Sequence, residues 1–129
     1  MVQENPRIPM PTLGIDLDGT ITDAPDFFTM LCNRWPGGII IVTYRQDVES
    51  AKRDLDTYAI RYDEIVLVKS LEDKARVIEE RGIAIYFDDQ DECLKDIPDT
   101  VSVFKIRNGG NFHEETRRWL YSEETGQLV

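Results

Sequence analysis

Leu13-Gly14-Ile15-Asp16-Leu17-Asp18-Gly19-Thr20 is a short apolar run broken by Asp16 and closed at once by a glycine and a threonine. Such a run reads as a buried strand that passes into a turn, leaving carboxylates where the strand ends. Further along the chain, the apolar signature returns four times: at Ile39 to Val42, Ile65 to Val68, Ile83 to Phe87 and Val101 to Ile106. The first of these is an unbroken β-branched series entered through Gly37 and Gly38. Unbroken runs of this kind belong to parallel strands buried on both faces.

Helical spacing separates the runs. Val48, Ala51, Leu55 and Ala59 recur at intervals of three and four and share one helix face. Ser70 opens another helix, with Asp73 placed to complete a capping-box-like start and Gly82 to stop it. Asn111 and Glu114 repeat the start signal ahead of an expected last helix bearing Phe112, Thr116, Trp119 and Leu120. Strands alternating with helices predict an α/β fold: a three-layer, Rossmann-like open sheet of about five mainly parallel strands, with helices on both faces. The whole chain, 1–129, is expected to be one domain, with 1–12 as a proline-rich N-terminal arm.

Composition narrows the function classes. At 129 residues and 41% hydrophobic content the chain can build one conventional core. Its 25 acidic residues against 15 basic ones leave a net charge of -10, which repels polyphosphate backbones and disfavours nucleic acid as a partner without excluding it. Cys32 and Cys93 lack metal or redox spacing and read as buried thiols of a reducing cytosol. The stretch from Met1 to Thr12 holds Glu4, Arg7 and three prolines, which suits neither a signal peptide nor a membrane span. The expectation is a cytoplasmic protein with no membrane partner.

In an open parallel sheet, ligands bind beyond the carboxyl ends of the strands. Those ends carry Asp16 and Asp18, then Thr43-Tyr44-Arg45, Lys69-Ser70 and Asp88-Asp89, with Arg107 and Gly109-Gly110 after the fifth strand. Carboxylates gathered at one edge repel, since two charges about 4 Å apart cost roughly 4 kcal/mol at an effective dielectric of 20. All the ligands would be hard oxygens, which points to Mg²⁺ and, because magnesium tends to share its shell with phosphate, to a phosphate ester as substrate. One carboxylate of the Asp16/Asp18 pair can attack phosphorus while the other shuttles a proton. Thr43 and a lysine are the kinds of group that hold the oxygens of a transferring phosphoryl group.

The Asp16-Leu17-Asp18-Gly19-Thr20 stretch is similar to the D-x-D-G-T signature of haloacid dehalogenase (HAD) superfamily phosphatases. Thr43, ending an apolar strand, resembles the family's second motif, and Asp88-Asp89, ending another, resembles its fourth; the match runs in order over residues 13 to 92. The resemblance implies a small, capless, magnesium-dependent phosphomonoester hydrolase with an aspartyl-phosphate intermediate, acting on a nucleotide or another small phosphorylated metabolite. It makes Asp16 nucleophile and metal ligand, and Asp18 acid and base with its carbonyl on the metal. Thr43 would bind phosphate, and Asp88 would complete the magnesium site with Asp89 assisting directly or through water.

The third-motif lysine is Lys69 or Lys74, of which Lys74 is favoured because it falls in the first turn after the Ser70 cap. Arg45 follows Thr43 at a spacing common in phosphate sites and is a candidate substrate ligand. The gaps from Thr20 to Thr43 and from Thr43 to Lys74 leave no room for a cap, so the site should be open, to a large substrate or to a second copy of the chain acting as lid. A phosphotransferase or a polynucleotide-end phosphatase would carry the same motifs. A non-catalytic phosphate-binding or receiver-like module is disfavoured, because receivers are phosphorylated at the end of strand three, where this chain has Lys69-Ser70. Trp35, Trp119, Phe27, Phe28 and His113 are expected to pack rather than react.

Overall fold

Thr12–Ile15 forms β1, the middle strand of the sheet, in the computed structural model, which describes residues 10–120. The expected N-terminal arm lies outside the described residues as far as residue 9. Ile39–Thr43 (β2), Glu64–Leu67 (β3), Ile83–Asp88 (β4) and Ser102–Lys105 (β5) join β1 in the order β3-β2-β1-β4-β5, every pair parallel. Ile15 stands beside Ile41 on one side and Phe87 on the other, so Asp16, Thr43 and Asp88 leave the sheet at the same edge. The chain steps from β1 to β2 in one direction and later to β4 in the other. The crevice at such a reversal is where ligands of open α/β sheets sit.

Pro25–Arg34 (α1) and Val48–Thr57 (α2) cover one face. There Phe28, Cys32, Ala51 and Leu55 pack on Leu13, Ile15, Ile39, Ile41 and Phe87. Asp73–Glu80 (α3) and the short Asp91–Leu94 (α4) cover the other, where Val77, Ile78 and Ile97 meet Ile40, Val42 and Tyr86. The fold is the three-layer α/β arrangement expected, and both cysteines are buried free thiols. Asp47 caps α2 by accepting from the Glu49 amide, and the Ser70 hydroxyl accepts from the Asp73 amide at 3.1 Å where α3 begins. Ala59 lies past the end of α2 with φ +55°, so the helical spacing overran by two residues.

Between β1 and β2 the described chain holds only a tight turn at Leu17–Ile21 and α1, and between β2 and β3 only α2. No cap domain is present among the described residues. None of their helices is long and apolar enough to cross a membrane.

The expected last helix is not there. Phe112–His113 (β6) and Arg118–Trp119 (β7) form an antiparallel hairpin instead. Asn111 cannot serve as a helix cap, because its side chain is used elsewhere: its amide donates to the carbonyls of Asp89 and Ile106, and its oxygen accepts from the Asn108 amide. Arg117 turns the chain at φ +57°, and Phe112 packs edge-on against Trp119 at 5.3 Å. Of the aromatics expected to pack, Phe28 is fully buried, whereas Phe27 and Trp119 remain 46% and 42% exposed.

Candidate active site

Asp16 follows β1 directly, and its amide donates to the Phe87 carbonyl at 3.0 Å, so the β1–β4 ladder runs up to the candidate nucleophile and fixes its backbone. The chain then turns through an extended Asp18 and a left-handed Gly19 at φ +84°. A Cβ at residue 19 would stand 2.3 Å from Asp89 Oδ2, so glycine is required both by the backbone and by the approach of Asp89. Gly19→Ala is therefore expected to cost about 1–3 kcal/mol and to lower Tm by several degrees. An unchanged thermal melt would show that the turn yields without cost.

Four ionisable groups meet beyond this turn with almost no solvent exposure: Asp16 at 2%, Lys74 at 1%, Asp88 at 0% and Asp89 at 3%. Lys74 Nζ donates to Asp16 Oδ1 at 2.7 Å and to Asp88 Oδ2 at 2.9 Å. The other Asp16 oxygen accepts from the Thr20 hydroxyl at 2.9 Å. Of the two lysines left open by the sequence, the structure brings Lys74 into the cluster and leaves Lys69 exposed. Asp88 accepts also from the Tyr86 hydroxyl and from the amides of Asp89 and Gln90, which fills both its oxygens. Gly14 makes room for Tyr86, since a Cβ there would lie 2.9 Å from the Tyr86 ring.

Three carboxylates face one ammonium here, a shortfall of two positive charges. Burial and then the Asp88 charge raise the Asp16 pKa well above the usual carboxylate range, against the pull of Lys74. The same two causes push Asp89 up to about 6. Asp88 is lowered despite its burial, because Lys74 and the Tyr86 hydroxyl together outweigh the loss of water. Without further charge the cluster would take up protons to relieve the repulsion. A divalent cation would supply the missing charge instead.

The donor set fits such a cation. Each of Asp16, Asp88 and Asp89 offers a carboxylate oxygen, and these atoms lie within 4.8 Å of one another. Asp89 Oδ1 is buried yet has no hydrogen-bond partner, a costly arrangement unless something else binds it. An all-oxygen set suits magnesium better than zinc.

Asp18 and Arg45 are drawn together. Arg45 grips the Asp18 carboxylate with two bonds of 2.8 and 2.7 Å and also reaches Asp54 on α2 at 2.7 Å. Thr43 is buried at the end of β2, where its hydroxyl accepts from the Arg45 amide at 3.2 Å. Beside Asp18 and Asp89 opens a cavity of about 430 Å³, walled by Gly19, Thr22, Asp23, Gln90 and the 108–111 loop. Among the described residues that line it, none has an aromatic or cationic side chain.

Sequence reasoning missed Tyr86, Asn108 and Asn111. Asn108 Nδ2 donates to the Gly19 carbonyl at 2.8 Å and to Asp89 Oδ2 at 3.0 Å, and Asn111 Nδ2 donates to the Asp89 carbonyl at 2.8 Å. The only sequence signal for them was the Gly109-Gly110 turn between two asparagines after strand five. Arg107, which shares that stretch, lies over the Phe112 ring at 4.7 Å.

No protein-family model matches the chain, and no curated protein matches it. Among solved structures, it is similar to the NMR structure of the core domain of a putative phosphoglycolate phosphatase from Streptococcus pneumoniae TIGR4. The identity is 15%, the match covers 79% of this chain and 91% of that one, and the TM-score is 0.45.

Proposed function

We propose that the chain is a capless member of the HAD superfamily, a single-domain, magnesium-dependent phosphomonoester hydrolase that works through an aspartyl-phosphate on Asp16. The observation that carries this reading is the buried cluster of three aspartates and one lysine, short of two positive charges, with a partnerless oxygen on Asp89. Asp16, Asp88 and Asp89 would hold the cation with the Asp18 carbonyl, and Asp88 also holds Lys74. Bound there, magnesium would supply charge to the oxygens of the transferring phosphoryl group.

Lys74 orients the Asp16 carboxylate through Oδ1. An Asp16 oxygen bonds to phosphorus as the bond to the leaving oxygen breaks, and Asp18 gives that oxygen its proton. Asp18 then takes a proton from water, whose oxygen attacks phosphorus; the bond to Asp16 breaks and phosphate leaves. For these steps Asp18 turns away from Arg45, which frees the guanidinium for the phosphoryl oxygens beside the Thr43 hydroxyl.

The polar cavity next to Asp18 suits a small leaving group rich in hydroxyls better than a nucleobase, which finds no ring to stack on among the described residues there. Mg²⁺ with BeF₃⁻, a mimic of phospho-aspartate, is expected to raise Tm by several degrees, as about 2.7 kcal/mol follows from ligand at a hundred times its Kd. Absence of any shift in the wild-type protein would sink the reading.

A further inference from the structure

Asp89, one residue past β4, must present one particular oxygen to a cation. Its carboxylate is buried, and its Oδ2 accepts from Asn108 Nδ2 at 3.0 Å, while Oδ1 has no partner. The same Asn108 amide group donates to the Gly19 carbonyl at 2.8 Å, in the turn that carries Asp18. Asn108 is itself fixed: its oxygen accepts from the Gly110 amide at 2.8 Å, and its own amide donates to Asn111 Oδ1 at 2.8 Å. Asn111 in turn binds the carbonyls of Asp89 and Ile106. The loop after β5 is thus bolted to both acidic segments of the site at once.

We propose that Asn108 is a positioning residue for the metal centre: by occupying Asp89 Oδ2 and tying it to Gly19, it aims Oδ1 at the cation and sets the distance between the two acidic loops. A carboxamide suits the task because its –NH₂ carries two donors, one for each loop, and adds no charge to an acidic cluster. An aliphatic side chain at 108 would leave the Asp89 carboxylate free to rotate and its Oδ2 short of a donor. Partners of metal ligands in other centres typically change metal affinity by about 10- to 100-fold when removed.

This inference rests on the metal reading given above, and the experiment separates the two. Mn²⁺ affinity is measured by calorimetry on the wild-type protein, Asn108→Ala and Asn108→Ser, with the Tm of each metal-free protein recorded alongside. Wild-type protein is expected to bind Mn²⁺, and Asn108→Ala to bind it roughly 10- to 100-fold more weakly, with Asn108→Ser between them because a hydroxyl restores one donor. In turnover, the Mg²⁺ concentration for half-maximal rate should rise by the same factor. No Mn²⁺ binding by wild type would remove the metal site and this inference with it. Wild-type binding that both variants match would overturn the inference alone, and so would variants that merely fail to fold.

Discussion

Asp16→Asn is expected to abolish Mg²⁺-dependent release of phosphate from every phosphomonoester the protein accepts, a loss on the order of 10⁴- to 10⁶-fold in kcat. The amide matches the carboxylate in size but cannot form the acyl-phosphate. It also removes a negative charge from a cluster in which three carboxylates share one ammonium, so repulsion falls. The folded protein should therefore keep its Tm or gain slightly. That pairing of an inert enzyme with an intact melt separates loss of chemistry from loss of fold. A screen of sugar phosphates, nucleotides and 3′- or 5′-phosphorylated oligonucleotides reads both substrate and nucleophile. Turnover that survives the substitution would remove Asp16 from the mechanism.

Lys74→Met should act in the opposite way, on the fold as well as the chemistry. Its ammonium is the only cation bonded to Asp16 and Asp88 among the described residues, and it is 1% exposed. Removing one partner of a buried ionic cluster costs about 3–5 kcal/mol, and at this chain length that corresponds to roughly 10 °C or more in Tm. The loss should also depend on pH. Asp16 already has a folded pKa above its unfolded one, so the folded protein binds more protons and stability falls as pH rises through that interval. Without Lys74 the folded pKa rises further and the interval widens upward. In chelator, the gap between variant and wild type should therefore grow from mildly acid to neutral pH. Melts that differ by less than about 2 °C throughout would mean that the carboxylates have another source of compensation.

All five strands of the sheet were legible, because β-branched runs such as Ile39 to Val42 have few structural alternatives once both faces are buried. The start of α3 was legible to within three residues, because the Ser70 hydroxyl accepts from the Asp73 amide in the turn just ahead of it. The same logic failed at Asn111. A capping signal is local, and it cannot reveal that the side chain has been recruited by Asp89, far back in the chain. The acidic strand ends were visible as a set, but their division of labour was not: filled oxygens on Asp88 and an empty one on Asp89 depend on Tyr86, Lys74 and Asn108 arriving from three different elements. The grip of Arg45 on Asp18 is likewise a tertiary fact with no signature in spacing.

β1 is the first of the described strands yet lies in the middle of the sheet, with β4 beside it. The ammonium that steadies Asp16 lies 58 residues downstream, and Asp88 and Asp89 follow later still. At the ribosome, where about 5–20 residues are added each second, Asp16 is made several seconds before Lys74 and Asp88. Until β4 slots in beside β1 the acidic cluster cannot assemble, so the formation of the whole centre waits on one late-arriving strand.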